Sequence, residues 1–365
     1  MSESKVKPTL LMAGGTGGHI FPALAVAKLL EEKGEKVVWL GSKNSMEAQQ
    51  VPEAGIPFYE LGISGLRGKG VKTLVLAPFK LVASLWQAIK ILRQVKPSRV
   101  IGFGGFASGP GGLAAWLLGI PLYVHEQNAL PGMTNKSLAF LAKKVFTAFP
   151  QAFVGNKKVS CVGNPVRANL LNLPLPAQRY AERKGPLRIL VVGGSLGAQI
   201  LNTRLPEALS LLAKDQLPLV RHQTGKSHQE TTQALYDSYP EVAKQVEVTP
   251  FIDDMAAAFG WADLVICRAG ALTIAELAVV GVASVLVPFP FAVDDHQTHN
   301  AQFLAKKDAA LLLPQPEFTA KALAELLTNQ LADRNCLASM AEKAFQLASR
   351  NAGQQMLNTI LKDTQ

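Results

Sequence analysis

The sequence predicts an α/β protein in which two Rossmann-like, parallel-sheet domains flank a cleft. Three observations support this fold class. Glycine-rich turns occur at 14–18 and again at 193–198, and each lies between a short apolar run and a stretch with helical spacing. After each turn, apolar runs of strand length alternate with helical patterns, as they do in doubly wound sheets. A chain of 365 residues is also long enough for two domains of ordinary size.

The first series of elements opens at Thr9–Met12, a short apolar run that is typical of a buried strand. The glycines that follow rule out a regular element, and the residues after them have helical spacing. A second glycine-rich segment, Gly104–Gly112, also follows a strand and leads into a helix. Further strands of this series are expected at Lys36–Leu40, Ile56–Tyr59, Arg99–Phe103, Pro121–Glu126, Lys144–Phe149 and Val159–Val162.

The second series begins at the strand Leu187–Val192 and its glycine turn. The segment Leu170–Gly185 between the two series is expected to be irregular, because it combines prolines with mixed charge. Domains are therefore expected at 1–165 and 166–345, and a C-terminal helix over 346–365 can pack back on the first domain. Further strands of the second series are expected at Leu219–Gln223, Val246–Thr249, Leu264–Cys267 and Ser284–Val287.

The composition is that of a folded globular protein, with 48% hydrophobic and 18% charged residues. The net charge of +10 is concentrated in residues 1–165, which suggests that this half meets nucleic acid or an anionic membrane surface. The three cysteines are far apart, so we expect a reducing compartment and neither a disulfide framework nor a zinc site. The first ten residues lack the apolar region of a signal peptide, and no segment is expected to cross a membrane.

The stretch Val71–Lys96 combines apolar residues at helical spacing with interleaved lysine and arginine residues. One interpretation is an amphipathic helix, broken in two at Pro78, whose apolar side faces the core and whose basic side faces water. The other is a membrane-surface patch, because apolar and basic side chains on one element suit anionic lipid. Trp116 could join such a patch or simply be buried.

Several common catalytic and cofactor motifs are missing from the sequence. Neither glycine turn has the spacing G-x-G-x-x-G, and no acidic residue ends the second strand of either series, which argues against a nicotinamide-dependent dehydrogenase. The segment Thr224–Ser227 ends like a P-loop but lacks the first glycine of that motif. Neither a nucleophile elbow nor a His/Cys cluster with metal-ligand spacing is present, so no cofactor and no metal site is expected.

Polar residues in four places are candidates for ligand contact. His19 lies at the mouth of the first glycine turn, where backbone N–H groups and a helix N-terminus suit an anion, although a histidine there is as often structural. Residues 125–128 and 296–300 follow strands, where open α/β sheets place ligands. Glu276 either completes a capping box with Thr273 or accepts hydrogen bonds from two ribose hydroxyls.

Seven motifs occur in an order that matches one enzyme family. They are GGTGGHIFPALAVA, GFGGFASGPGG, HEQNALPG, GNPVR, GGSLGA, FIDDM and CRAGALTIAE, and the match extends from about Leu10 to past Asn300. In this order they resemble the peptidoglycan N-acetylglucosaminyltransferases of glycosyltransferase family 28. The resemblance implies a GT-B architecture in which the second domain holds most of the sugar nucleotide.

The resemblance also implies roles for individual residues. Thr16, Gly17 and Gly18 would line the phosphate region of donor and acceptor. The acceptor pyrophosphate would lie near Gly14, Gly15, Gly104, Gly105 and Ser108. On UDP-N-acetylglucosamine, the implied contacts are with the sugar (Asn128 and Gln297), the diphosphate (Arg167 and Ser195), uracil (Ile252) and ribose (Ala271, Leu272, Thr273, Ile274, Ala275 and Glu276). The family usually has two glutamines where this chain has His296-Gln297, and this departure leaves His296 without an implied role.

The chemistry implied by the family inverts the anomeric carbon in one displacement by the 4-hydroxyl of a muramyl sugar. Such a displacement needs a general base near that hydroxyl, and a histidine has a suitable ordinary pKa of about 6.5. His19 is therefore the first candidate base and Glu126 the second. Helix N-termini and Arg167 can stabilise the departing diphosphate without a metal ion.

The resemblance thus implies transfer of N-acetylglucosamine from UDP-N-acetylglucosamine to undecaprenyl-pyrophosphoryl-MurNAc-pentapeptide, converting lipid I to lipid II in peptidoglycan synthesis. The implied partners are an anionic inner-membrane surface, with the protein peripheral on its cytoplasmic side, and other proteins of cell-wall synthesis and division. The alternatives are a family 28 enzyme acting on another lipid such as diacylglycerol, a UDP-N-acetylglucosamine 2-epimerase, and a nucleic-acid-binding module. Aromatic residues are sparse on the basic stretches, which argues against nucleic acid as a partner.

Overall fold

The computed structural model describes residues 7–63, 71–194 and 196–363, and within 71–78 it describes the backbone only. Contacts divide the chain into two compact units. The first unit is Met1–Arg167 together with Asn351–Gln365, and the second is Ala168–Arg350. These divisions lie within a few residues of the boundaries expected from the sequence.

The first unit is built on a parallel sheet. Its strands are β1 (Thr9–Met12), β2 (Val37–Ser42), β3 (Phe58–Leu61), β4 (Arg99–Gly102), β5 (Leu122–Glu126), β6 (Lys144–Thr147) and β7 (Val159–Cys161). They pair in the order β3-β2-β1-β4-β5-β6-β7, and every pair is parallel. The strands β1, β2, β4 and β5 are buried along their whole length, as expected when helices cover both faces of a sheet. The predicted fold class is therefore confirmed for this half.

Helices cover both faces of this sheet. The helices described in the first unit are α1 (Gly17–Glu32), α2 (Met46–Glu53), α3 (Val71–Val95), α4 (Ser108–Leu117), α5 (Met133–Leu141) and the C-terminal helix (Ala352–Lys362). Helix α3 continues through Pro78, so the predicted break is wrong; a proline removes one helical hydrogen bond and can bend a helix without ending it. Among the described residues, no helix is long and apolar enough to cross a membrane.

Two apolar cores lie on opposite faces of the sheet, because side chains alternate along each strand. On one face, Leu11 and Trp39 pack with Ile20 of α1 and with Met356 and Ile360 of the C-terminal helix, all of them fully buried. The other face packs beneath α3, α4 and α5. The C-terminal helix thus contributes directly to the core of the first unit.

The second unit repeats this plan. Its strands are β8 (Arg188–Val192), β9 (Leu219–Gln223), β10 (Val246–Thr249), β11 (Leu264–Cys267), β12 (Ala283–Leu286) and β13 (Leu311–Leu312). They form a parallel sheet in the order β10-β9-β8-β11-β12-β13. Strand β13 was not predicted, because two residues are too few to show a period.

Helices again flank the sheet of the second unit. They are α6 (Ala168–Leu171), α7 (Pro176–Ala181), α8 (Gln199–Ser210), α9 (Gln229–Asp237), α10 (Pro240–Ala243), α11 (Met255–Trp261), α12 (Ala271–Val280), α13 (His296–Ala305), α14 (Ala320–Asn329) and α15 (Arg334–Gln346). The C-terminal helix of the first unit is α16.

The segment 170–185, expected to be irregular, contains α7, so that expectation is wrong in its middle. Pro176 stands at the start of this helix, where its missing N–H and fixed φ are no disadvantage. The buried Tyr180 anchors α7 to the sheet, because its hydroxyl donates to Asp263 O at 2.6 Å and accepts from Ala283 N at 3.1 Å.

The strand order places a switch point in each sheet. Strand β1 lies between β2 and β4, and strand β8 lies between β9 and β11. Loops that leave neighbouring strands on either side of a switch point diverge, and open α/β sheets bind ligands there. Each glycine turn leaves its sheet at such a point.

Candidate active site

Two glycine-rich loops meet at the carboxyl end of the first sheet. One follows β1 and the other follows β4. A Cβ atom added to Gly105, which has φ +88°, would lie 2.4 Å from Gly14 O. Only glycine permits this approach, so Gly14 and Gly105 hold the two loops against each other.

Glu47 of α2 supports the first glycine turn. Its carboxylate is fully buried and accepts hydrogen bonds from Gly15 N at 3.2 Å and from Ser42 N at 3.1 Å. The N–H of Gly15 is therefore used inside the protein, and it is not directed at a ligand. Nothing in the sequence marked Glu47, because the glycine it holds is 32 positions away.

The start of α1 remains accessible. Thr16 is the N-cap residue, is exposed, and makes no side-chain cap hydrogen bond. Gly17 and Gly18 are half-buried at the first turn of the helix. Of the residues predicted around this turn, Thr16, Gly17 and Gly18 are thus placed where an anion could reach them, whereas Gly14 is buried.

His19 is held in one tautomer by the same turn. Its Nδ1 lies 3.0 Å from Gly14 O, and a carbonyl oxygen can only accept, so Nδ1 carries the hydrogen. In the neutral ring, Nε2 is then the atom with the lone pair and can take up a proton. A Cβ atom at Gly104, where φ is +99°, would lie only 3.2 Å from His19 Nε2, so the glycine leaves room for the imidazole.

Glu126, the second candidate base, lies at the end of β5 and is only 1% exposed. Its Oε1 accepts from Asn128 N at 2.9 Å and from Asn128 Nδ2 at 3.3 Å. Its Oε2 accepts from Asn135 Nδ2 at 2.9 Å and from Gly132 N at 3.1 Å. Both oxygens are engaged, so the geometry favours a role in shaping residues 126–135 over proton transfer with a substrate.

His125 joins this loop to the GNPVR motif. Its Nε2 donates to Gly163 O at 2.9 Å, and its Nδ1 accepts from Gln127 Nε2 at 3.1 Å. Complete burial lowers the pKa of His125 to about 4, so the ring is neutral at pH 7. Asn164 Nδ2 adds a hydrogen bond to Gln127 O at 3.2 Å.

The GNPVR motif ends at Arg167, which reaches α1. The guanidinium carbon of Arg167 lies 5.3 Å from the centroid of the Phe21 ring, a cation–π distance. The first unit thus brings together three segments that the sequence singled out separately: the glycine turn with His19, the loop of Asn128, and Arg167.

Ser108, predicted near the acceptor pyrophosphate, is fully buried at the start of α4. Its Oγ lies 2.7 Å from Gly104 O and 3.2 Å from Met12 O, both of which can only accept. This placement makes Ser108 a support for the loops after β1 and β4, because no ligand can reach its hydroxyl in this conformation.

The second glycine turn leads from β8 into α8, and Ser195 within it lies outside the described residues. A Cβ atom at Gly197, where φ is +75°, would lie 2.0 Å from Thr224 O, so the turn packs directly on the loop after β9. Gln223 fixes the turn from the side, accepting from Gly194 N at 3.1 Å and donating to Gly194 O at 3.0 Å. Gln223 was not predicted, since a glutamine at the end of a strand carries no distinctive pattern.

A buried polar network stands behind this turn. His222 Nδ1 lies 2.9 Å from the Tyr236 hydroxyl, and His222 Nε2 lies 3.1 Å from Asn202 Oδ1. Asn202 Nδ2 donates to Thr224 O at 3.1 Å. Burial lowers the pKa of His222 to about 3, so this histidine is neutral and holds the loop after β9 in place.

Helix α12 carries the predicted ribose residues, and it begins one turn earlier than a capping box would require. Its N-cap is Gly270, which makes Thr273 the third helical residue and Glu276 the sixth. Thr273 is therefore not an N-cap, and the capping-box interpretation of Glu276 is wrong. Glu276 is 4% exposed, and Ala271, Leu272 and Ile274 are buried, whereas Thr273 and Ala275 are half-buried.

Ile252, predicted to hold uracil through its backbone, follows β10 and is half-buried. It borders a pocket of about 240 Å³ whose other lining residues include Thr249, Asp254 and Ala257. Arg221 of β9 and Glu247 of β10 also line it, so the pocket lies beside the edge of the second sheet and not at the switch point after β8.

Gln297, at the start of α13, has its amide oriented by the backbone. Its Oε1 accepts from Phe289 N at 2.9 Å, which leaves the Nε2 group as the donor that can meet a ligand. The preceding His296 bonds locally, with Nδ1 2.8 Å from Val293 O. Among the described residues, no cluster of three or more His, Cys, Asp or Glu side chains is arranged to hold a metal ion.

Comparison with known proteins gives matches over both units. Residues 9–147 match the glycosyltransferase family 28 N-terminal domain, and residues 188–356 match the glycosyltransferase family 28 C-terminal domain. A relative from Marinobacter nauticus is 49% identical, covering 99% of both chains, and one from Ralstonia nicotianae is 50% identical, covering 98% of this chain and 96% of the relative. Both are called UDP-N-acetylglucosamine–N-acetylmuramyl-(pentapeptide) pyrophosphoryl-undecaprenol N-acetylglucosamine transferase.

Solved structures agree with these relatives. The crystal structure of Acinetobacter baumannii MurG is 46% identical and covers 98% of this chain and 99% of its own, with a TM-score of 0.83. A UDP-N-acetylglucosamine 2-epimerase from Neisseria meningitidis has a TM-score of 0.65 over 97% of this chain and all of its own. At 12% identity, the epimerase shares the fold alone.

Proposed function

This chain belongs to glycosyltransferase family 28, and we propose that it transfers N-acetylglucosamine from UDP-N-acetylglucosamine to the lipid-linked muramyl acceptor, converting lipid I to lipid II. The chain is an enzyme, a hexosyltransferase of the GT-B architecture. The observation that carries the proposal is the identity of about half of all residues, over nearly the whole length, with transferases of that name. The hydrogen bond between His19 Nδ1 and Gly14 O supports the proposal, because it leaves Nε2 to act as the general base that such a transfer requires.

His19 acts as the general base in the proposed mechanism. Its Nε2 takes the proton of the muramyl 4-hydroxyl while that oxygen attacks the anomeric carbon of the donor sugar. The bond from this carbon to the oxygen of the β-phosphate breaks in the same step, and UDP leaves with the bonding electrons. The hydrogen bond from Nδ1 to Gly14 O holds the ring in place in both protonation states.

Donor binding is assigned mainly to the second unit. The uracil lies against the backbone at Ile252, and the ribose hydroxyls bond to Glu276 in the second turn of α12. Gln297 donates from Nε2 to sugar hydroxyl oxygens. In the second unit, the second glycine turn binds the diphosphate. In the first unit, the exposed N-terminus of α1 at Thr16–Gly18 and the guanidinium of Arg167 are assigned to substrate phosphate groups.

The surface of α3 supports contact with the membrane that holds the acceptor. Phe79 is 74% exposed, Trp86 is 67% exposed, and Trp116 on the adjoining helix α4 is 51% exposed. The exposed basic residues Lys80 and Lys90 lie on the same helix. Apolar and basic side chains that face outward together suit an anionic lipid surface, which we assign as the cytoplasmic face of the inner membrane.

Replacing Lys80, Lys90 and Arg93 together by Glu is expected to weaken binding to phosphatidylglycerol-containing vesicles by about 100-fold, because each basic residue near such a surface contributes about 1 kcal/mol. Vesicle co-sedimentation measures the effect. The matched control replaces three other exposed lysines of the first unit by Glu. These lysines lie in α1 or just after it: Lys28, Lys33 and Lys36. Equal weakening in both triple variants would contradict the placement of the membrane surface on α3.

A competition between acceptors tests the acceptor class. A short-chain lipid I analogue and diacylglycerol are offered together with labelled UDP-N-acetylglucosamine, and the products are separated. We expect the label in the muramyl product alone. Label in a glycosylated diacylglycerol would instead favour a family 28 enzyme that acts on diacylglycerol.

A further inference from the structure

We infer that Arg268 is a positioning residue that orients Gln297 for the donor sugar, through the backbone segment that follows β12. This inference rests on the proposed function, since it assumes that Gln297 meets the sugar of UDP-N-acetylglucosamine. Arg268 is the first residue after β11 and belongs to the CRAGALTIAE motif, yet no role was predicted for it.

The guanidinium of Arg268 is anchored at three oxygen atoms. Its Nη1 donates to Val287 O and to Pro288 O, each at 3.1 Å, and its Nη2 donates to Gln315 Oε1 at 2.8 Å. The guanidinium carbon also lies 5.4 Å from the centroid of the Phe289 ring. Arg268 therefore binds two consecutive carbonyls and the ring of the next residue, which fixes the chain at the end of β12.

The fixed segment is the one that holds Gln297. Phe289 N donates to Gln297 Oε1 at 2.9 Å, across eight positions of the chain. The ring of Phe289 packs edge-on against Phe291, with the centroids 5.6 Å apart. The backbone then passes through Asp294 and Asp295, both with positive φ, before α13 begins. A shift of the Phe289 backbone would therefore act on the amide of Gln297.

The consequence is a Gln297 side chain with one defined orientation. Its oxygen is occupied by Phe289 N, so the amide presents its N–H groups to a ligand, and these recognise hydroxyl oxygens. A lysine at 268 cannot replace the arginine, because one ammonium group cannot match a planar guanidinium that reaches two carbonyls, a side-chain amide and a ring face together.

The inference is tested by measuring the affinities of UDP and UDP-N-acetylglucosamine separately by titration calorimetry. Arg268→Lys is expected to raise the Kd of UDP-N-acetylglucosamine by about fivefold to tenfold, the effect of losing one or two neutral hydrogen bonds, and to change the Kd of UDP by less than about twofold. Gln315→Ala removes one anchor of the guanidinium. It is expected to show the same pattern as Arg268→Lys, with a smaller rise in the Kd of UDP-N-acetylglucosamine.

The matched control is Arg350→Lys. Arg350 also donates to two backbone carbonyls, Val279 O at 3.0 Å and Leu171 O at 2.6 Å, and lies 4.9 Å from the Phe345 ring centroid. Its replacement removes a similar structural contact without touching the segment that holds Gln297. The ratio of the two affinities is therefore expected to remain that of the wild type.

A double-mutant cycle separates positioning from a general structural role. If Arg268 acts through Gln297, the double variant Arg268→Lys/Gln297→Ala binds UDP-N-acetylglucosamine no more weakly than Gln297→Ala alone. Equal loss of UDP and UDP-N-acetylglucosamine affinity in Arg268→Lys, or additive losses in the cycle, would overturn the inference. If the wild-type protein binds UDP, and the N-acetylglucosamine group adds nothing to that affinity, the proposed donor is overturned instead.

Discussion

His19→Ala is expected to lower kcat by about 10²- to 10⁴-fold, the usual contribution of a positioned general base, while the Kd of UDP-N-acetylglucosamine changes by less than about threefold. The reason is geometric. Gly14 O fixes the hydrogen on Nδ1, so Nε2 is the atom that can receive the proton of the acceptor hydroxyl. Single-turnover kinetics at saturating donor and acceptor measure the loss directly.

His19→Gln distinguishes chemistry from structure at this position. A glutamine amide can still donate to Gly14 O, but it has no nitrogen that takes up a proton. The variant is expected to be as slow as His19→Ala. Activity within about tenfold of the wild type in His19→Gln would remove His19 from the role of base.

Glu276→Ala is expected to raise the Kd of UDP-N-acetylglucosamine by about 10- to 100-fold, because hydrogen bonds to a charged group contribute about 1.5–3 kcal/mol. UDP should lose affinity to the same extent, since the proposed contact is with the ribose. Helix capping cannot explain such a loss, because α12 begins at Gly270 and Glu276 is its sixth residue.

An analogue without the ribose hydroxyls gives the decisive comparison for Glu276. Wild-type protein is expected to bind 2′,3′-dideoxy-UDP more weakly than UDP, and Glu276→Ala is expected to bind the two nearly equally. A variant that loses the same factor for both ligands would show that Glu276 supports the site without contacting the ribose. Thermal unfolding of the variant monitors its stability in parallel.

Much of the fold could be predicted from the sequence, because parallel strands buried on both faces are continuous apolar runs. The runs at β1, β8 and β11 coincide with the observed strands or differ by one residue. The failures have local causes. Two residues show no period at β13, and the proline at the start of α7 was interpreted as a loop signal when it marked a helix start.

The candidate site was predictable only where its residues lie beside glycine turns or strand ends. His19 and Gln297 were found in this way. Glu47 supports the glycine turn before His19, and Arg268 binds the segment whose next residue, Phe289, bonds to Gln297. They make hydrogen bonds to atoms 32 and 19 or more positions away along the chain. A periodic pattern of apolar residues indicates local structure, and it cannot indicate contacts between residues so far apart in the chain. The full engagement of Glu126 also depends on the folded loop, which is why it was a candidate base in the sequence and supports a loop in the structure.

The measurement that tests the proposed function most directly is the transfer of labelled N-acetylglucosamine from UDP-N-acetylglucosamine in the presence and absence of a lipid I analogue. We expect a disaccharide product that forms only with the lipid, with the anomeric centre inverted from α in the donor to β in the product, and with one UDP released for each sugar transferred. Conversion of UDP-N-acetylglucosamine without any lipid, or a product that retains the α configuration, would contradict the proposed transfer.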